Sequence, residues 1–379
     1  MISATRQLRR DLETDPTIVD RLAAAKRIPL TDGTTTTFLY RGEADEVLLR
    51  HFIYGLPTTQ RFERIGGTDV WSCVMELPER SRVEYKIQVT RNGQSQLIRD
   101  PLNPRLARDP YGANSVCHGP GYETPAWTIA DEEARPGTLA PLTLERTVFG
   151  EPRHVTVYEP PRFRPTRRYP LLIVHDGEEF VEYANLKVVL DNLIYRLEIP
   201  PMIVALTQSP RRLDEYAASE QHARFIGDDL LPRLESEYPL LPDPSARGLM
   251  GASFGAVAAF SAACHEPEAF GRLLLLSGSF AFSDIGDDHG RSPAFDPVAR
   301  FVNAFRDTPR RVTDRVFLAC GTYESLIYEN RSLLPLLQSA GMEVRYREAR
   351  DGHNWMNWRD RLREGLAWLF PGPLWLVYE

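Results

Sequence analysis

The chain has 379 residues, of which 42% are hydrophobic, 26% charged and 10% aromatic, and its formal charge is -7 at pH 7. This predicts a folded protein of two unequal domains with a packed core, and excludes a low-complexity or disordered chain. The acidic balance argues against nucleic acid or an anionic membrane as the main partner, and Cys73, Cys117, Cys264 and Cys320, with no C-x-x-C pair, read as free thiols rather than a metal or redox site.

The first residues, MISATRQLRRDLETDP, carry charges with no apolar run behind them, and no segment approaches the roughly 18 apolar residues of a membrane span. We expect a helical extension here and a cytoplasmic protein. From about residue 30 to 118 the pattern is all-β. In RVEYKIQVTRNGQSQLI, Val83, Tyr85, Ile87 and Val89 alternate with Glu84, Lys86 and Gln88, the mark of a half-buried strand. Asn92-Gly93 then supplies the positive φ angles of a tight hairpin. DVWSCVMELP and EVLLRHFIYGL add strands of similar length, so a small sandwich follows, with Trp71 in its core. RDPLNPRLARDPYGANS reads as an ordered loop and DEEARPGTLAPLT, around residue 135, as a linker. The domains are therefore set at 1–140 and 141–379.

Beyond residue 143, the runs PLLIVHDG, PMIVALTQ, RGLMGAS, RLLLLSGS, RVFLACG and EVRYREAR alternate with amphipathic segments. Short continuous apolar runs fit strands covered on both faces, so this part is α/β with a mainly parallel sheet. The G-x-x-x-x-G-K-[ST] phosphate loop is absent, and no cofactor is expected.

GLMGASFGAVAAF contains Gly251-Ala252-Ser253-Phe254-Gly255, a G-x-S-x-G pentapeptide. Alone it is a weak signal. Its setting is more specific, since RGLMG can form a strand and AVAAFSAAC a close-packed helix, the order a strained nucleophile elbow requires. A serine needs a base, and the base an orienting carboxylate. If the order is serine, acid, histidine, as in α/β hydrolases, only His265, His289 and His353 follow Ser253, and His353 lies directly after the last expected strand. Glu324 stands just past the RVFLACG strand and is the preferred acid. Glu329, inside the next helix, and Asp351, placed to cap a turn, stay as alternatives. Oxyanion donors are expected from the amide of Phe254 and from Gly177 or Glu178 in VHDGEEF, with His175 and Asp176 supporting or structural.

LLIVHDGEEF, RRLDEYAASEQHARFIGDDLLPRLESEYPL, GASFGAVAAF, GTYESLIYENRSLLPLL and DGHNWMNWRDRL together resemble, in order and spacing, the enterochelin esterase family, and the resemblance spans nearly the whole chain. It implies an α/β-hydrolase fold preceded by an Ig-like sandwich, with Ser253, His353 and Glu324 in the family's catalytic positions. It also implies a small-molecule ester substrate, an anionic ferric catecholate trilactone such as enterobactin, with iron present only as part of that substrate. Basic side chains would then be needed to meet it, and Arg211, Arg212 and Arg359 are candidates, with Trp355 available for stacking. Two other functions compete: a feruloyl or acetyl esterase (or acyltransferase) acting on carbohydrate-linked esters, disfavoured by the missing export signal, and a non-catalytic scaffold using Trp71 to bind glycan.

Overall fold

The computed structural model describes residues 2–286 and 292–373. They form two compact units. The first comprises residues up to 124 together with two short returning segments, 322–324 and 349–354; the second holds the remainder from residue 125.

In the first unit, helices α1 (Ile2–Thr14) and α2 (Ile18–Ala24) precede ten strands: β1 (Leu30–Asp32), β2 (Thr35–Arg41), β3 (Glu46–His51), β4 (Thr59–Arg61), β5 (Glu63–Arg64), β6 (Val70–Glu76), β7 (Arg82–Arg91), β8 (Gln94–Ile98), β9 (Leu106–Asp109) and β10 (Gly112–His118). One sheet runs β1-β2-β6-β5; the other runs β4-β3-β7-β10-β9, with β8 paired to β7. Their inner faces meet in a core of Phe38, Val47, Leu49, Val83, Tyr85, Ile87 and Val89, so the β7 alternation sets the packing as expected. Asn92 and Gly93 both have positive φ, and the hairpin closes there. Trp71 is buried, its Nε1 donating to the carbonyl of Gly42, which removes it as an exposed glycan platform. Leu12 and Val19 of the two helices cluster with Leu39, Ile65 and Val70 on the other side of the first sheet. The loop after β8 is ordered by its own side chains: Tyr85 donates to Asp100, and Asn103 donates to Tyr85 and to the carbonyl of Val116.

The second unit is built on eight strands: β11 (Thr138–Leu144), β12 (Arg153–Glu159), β13 (Leu171–His175), β14 (Ile203–Thr207), β15 (Arg247–Ala252), β16 (Arg272–Leu276), β17 (Arg315–Gly321) and β18 (Glu343–Ala349). Their order is β11-β12-β14-β13-β15-β16-β17-β18, antiparallel across β11, β12 and β14 and parallel from β14 to β17. This is the α/β-hydrolase fold. The six strands expected from apolar runs are present. The stretch read as a linker differs: residues 138–144 are edge strand β11, where Pro141 is tolerated because an edge strand leaves one row of donors unpaired. Residues just before it are pinned as well, with Asn192 donating to the carbonyls of Trp127 and Ile129 and the amide of Gly137 donating to Asp191.

Helices cover both faces. Leu171, Ile173, Leu249 and Leu273 point to the layer that holds α5 (Arg212–Glu215), α6 (Glu220–Arg224), α7 (Leu231–Glu237), α8 (Phe254–His265), α9 (Asp296–Asp307) and α10 (Ile327–Ser339). Leu172, Val174, Met250 and Leu274, one residue on, point to the layer of α3 (Gly177–Tyr183), α4 (Leu186–Tyr195) and α11 (Trp355–Leu369). A continuous apolar strand is required because both its faces are buried.

Candidate active site

Ser253 sits between the end of β15 and the start of α8 with φ 57° and ψ -125°. For a residue with a Cβ this backbone is strained, at a cost of about 1–3 kcal/mol, and its surroundings must over-determine it. They do so through the main chain: the Ser253 amide donates to Leu276 at 2.9 Å, and its carbonyl accepts from Ser279 at 3.2 Å and Ala256 at 3.1 Å. The flanking glycines are needed for close approach. A Cβ on Gly251 would lie 2.2 Å from the Gly255 carbonyl group, and one on Gly255 would crowd Asp176 and His175.

Ser279 is a site residue the sequence reading missed; its Oγ is 3.1 Å from the Ser253 Oγ. The loop that carries it is fixed from two sides, by Asn330, which exchanges hydrogen bonds with the Gly278 main chain, and by Trp358, whose Nε1 donates to Ser277. The signal was the small-residue run SGS directly after a strand, where a short hydroxyl can approach an elbow.

The imidazole Nδ1 of His353 lies 2.6 Å from Oε2 of Glu324. Glu324 is nearly fully buried while His353 is about one-third exposed. A carboxylate oxygen accepts, so Nδ1 carries the proton and Nε2 is left as the basic nitrogen. Glu329 lies in the first turn of α10. Asp351 accepts from Asn354 and from the amide of Gly352, and pairs with Arg82. Burial pushes its carboxyl up to about 6, against the opposing pull of Arg82 and these hydrogen bonds. His265 ends α8, and His289 lies outside the described residues.

Around the VHDGEEF turn, the left-handed residue is Asp176 (φ 54°), not Gly177. Gly177 is required for a different reason: its Cβ would lie 2.5 Å from Leu206. Asp176 is held by Arg212 through a bidentate pair, Nε to Oδ1 at 2.9 Å and Nη2 to Oδ2 at 2.7 Å. Gly177 and Glu178 form the start of α3 and Phe254 the start of α8, where amides have no partner within the helix. Behind the turn, His175 Nδ1 donates to the carbonyl of Met250 at 3.0 Å, so its Nε2 accepts from His222 Nε2, also at 3.0 Å. Burial pushes His175 down to about 4 and His222 well below its ordinary value, so both rings are neutral.

The expected substrate contacts separate. Arg211 keeps an exposed side chain, with one contact of 3.4 Å to Glu215. Arg212 is engaged with Asp176, and Arg359 is buried, with its Nε and Nη2 donating to Asp360. Trp355 packs edge-on to Phe180 and Trp358.

Residues 147–369 match the esterase family model described as "Putative esterase". The iron(III) enterobactin esterase of Dickeya dadantii (strain 3937) is 26% identical over 349 residues, which cover 83% of this chain and 80% of that protein. That of Escherichia coli (strain K12) is 24% identical, covering 81% of each chain. The crystal structure of the enterobactin esterase FES from Shigella flexneri in the presence of enterobactin superposes with a TM-score of 0.72 at 22% identity, over 88% of this chain and 92% of that one, a likeness of fold.

Proposed function

Since the chain belongs to the esterase family whose model matches more than half of it, and is a carboxylic-ester hydrolase, we propose that it cleaves the lactone esters of a ferric catecholate siderophore of the enterobactin type through Ser253, His353 and Glu324. The observation that carries the mechanism is the 2.6 Å contact between His353 Nδ1 and Glu324. It commits Nδ1 as a donor and leaves Nε2 to take the Ser253 proton as Oγ attacks the ester carbonyl. The amides of Phe254 and of Gly177 or Glu178 would receive the negative charge that develops on the carbonyl oxygen. His353 then returns the proton to the departing alkoxide, and water releases the acyl group by the same steps in reverse roles. Ser279 Oγ, next to Ser253 Oγ, would hold the resting hydroxyl in one orientation.

The substrate follows from the relatives' names and from charge. Iron enters bound to the substrate, and cutting its trilactone lowers the ligand's grip on the metal, which would release it in the cytoplasm. Arg211 is an exposed cation able to meet the complex's negative charge, and Trp355 would supply an aromatic contact. Parallel incubation with iron(III)-enterobactin and with a feruloylated sugar tests this by product analysis. Acyl-serine fragments from the first and no ferulate from the second are expected; the reverse pattern makes the protein a carbohydrate-linked esterase. Ser253→Ala should abolish turnover of both enterobactin and a p-nitrophenyl ester while the fold persists, and unchanged turnover overturns the nucleophile.

A further inference from the structure

Resting on the reading of His353 and Glu324 as base and acid, we propose that Arg82, on strand β7 of the sandwich unit, is a positioning residue for this reaction: it holds the segment that carries His353, and with it the Glu324 contact.

Arg82 is 3% exposed and lies on the face of β7 that otherwise carries Glu84, Lys86 and Gln88. Its contacts bracket the histidine in sequence. Its amide donates to the carbonyl of Arg350 at 2.9 Å, and its Nη1 donates to Asp351 at 3.2 Å and to Asn354 Oδ1 at 2.9 Å. Residues 350 and 351 on one side and 354 on the other are thereby tied to one side chain and its main chain. Arg350 adds a return contact, its Nη1 donating to the carbonyl of Glu79 at 2.8 Å. Nη2 of Arg82 donates to Glu84 at 2.9 Å, which fixes the guanidinium against its own strand.

The acid is fastened to the same unit. Tyr54 donates its amide to the carbonyl of Tyr323 at 2.8 Å, and the Tyr323 ring packs against the sandwich core. Two main-chain bonds then join the segments, Thr322 to Ala349 at 2.7 Å and Tyr323 to Asp351 at 3.1 Å. Glu324 directly follows one such anchored residue, Tyr323, and His353 stands two residues after another, Asp351. Packing alone would not select an arginine here. A buried guanidinium is kept against its desolvation only by full pairing, and an apolar side chain would fill the same space at no such cost. Burial pulls Arg82 down, yet Asp351 and Glu84 outweigh it and hold the group above its ordinary value, so the cation is permanent. What the charge adds is direction: a planar fork that fixes Asp351 and Asn354 at set angles, as a flexible ammonium would not.

The test compares Arg82→Met, Arg82→Lys and the pair Arg82→Met/Asp351→Asn in the full chain, reading kcat and KM on a p-nitrophenyl ester, melting temperature, and amide exchange over residues 349–354. Arg82→Met should lower kcat roughly 10- to 100-fold with KM within about threefold, since sub-ångström misplacement of a base acts on the chemical step. Arg82→Lys should restore part of it. The paired variant removes the buried carboxylate that Arg82→Met strands at Asp351 and leaves Glu84 with its bond from Asn114, so its melting temperature recovers in part while kcat stays low and exchange over 349–354 stays fast. If kcat recovers together with melting temperature, or if exchange over 349–354 in Arg82→Met matches wild type, the positioning role is overturned. Tyr85→Phe, which loses the bond to Asp100 inside the same sandwich, should lower melting temperature with kcat unchanged. An inactive wild type would defeat the proposed function instead, and the exchange measurement would still decide whether Arg82 holds the segment.

Discussion

The serine and the histidine are fixed by opposite means. Ser253 is held by main-chain bonds, one from Ala256 in the helix that follows it and two with Leu276 and Ser279 at the end of the neighbouring strand, and by glycines that admit no side chain. His353 is held by side chains, through Glu324 and through an arginine some 270 positions away. A main-chain device tolerates no added atom but needs no charge. A side-chain device tolerates changes of backbone residue and depends on complete pairing.

Two glycine substitutions should separate the serine elbow from the histidine segment by the largest margin. Gly251→Ala drives a Cβ to 2.2 Å from backbone that cannot move without dislodging α8, so we expect destabilisation of about 3 kcal/mol or more and little folded protein on expression. Gly352→Ala, beside the histidine, meets nothing nearer than 3.6 Å and has no positive φ. It should change stability by less than about 0.5 kcal/mol, as surface substitutions do. Thermal melting of the two variants decides it, and equal losses would mean that the histidine segment is as rigid as the elbow.

The second contrast concerns the carboxylates. Glu324→Gln keeps the shape of the side chain but removes the charge that orients the imidazole and steadies its protonated form, so kcat/KM should fall on the order of 10³-fold. Glu329→Gln, in α10, should leave kcat/KM within about threefold and act on stability. Kinetics on one ester suffices, and the reverse ranking would move the acid to Glu329.

This difference also explains what could be read in advance. The elbow was legible because its constraint is local: strand, two glycines and a helix of small residues are contiguous in GLMGASFGAVAAF. Five strands of the catalytic sheet, β13 to β17, were legible because burial on both faces forces unbroken apolar runs, whereas β18 is half exposed and carries charged residues between its apolar ones. Edge strand β11 was hidden by Pro141 and Gly137, residues that mark a linker unless the strand has a free edge. Ser279, Arg82 and His222 were not legible as a set, since each acts through a partner brought near only by folding. The burial of Arg359 was not legible either, although its acceptor Asp360 is the next residue, because the sequence does not show which side of α11 is covered.

Acid should separate the two regions in opposite directions. Behind the elbow, His175 and His222 are buried and neutral, with His175 at about 4 in the folded chain against an ordinary value of 6.5. Between those limits the unfolded chain binds the extra proton, so the stabilisation is complete above about pH 6.5 and is lost as pH falls toward 4, about 3 kcal/mol at the lower end. Asp351 has the reverse sign. Its folded value of about 6 exceeds the ordinary 3.8, so the folded chain binds the proton first and this group's contribution to stability grows as pH falls through 6. Denaturant unfolding of His175→Leu/His222→Leu, in which both polar partners are replaced together, should show a flatter loss between pH 6.5 and 4 than wild type. Asp351→Asn should show a steeper one, because the opposing group is gone. A double-leucine variant that loses stability as steeply as wild type would place the acid sensitivity outside the elbow and end the contrast between a neutral, main-chain-held serine and a charge-held histidine.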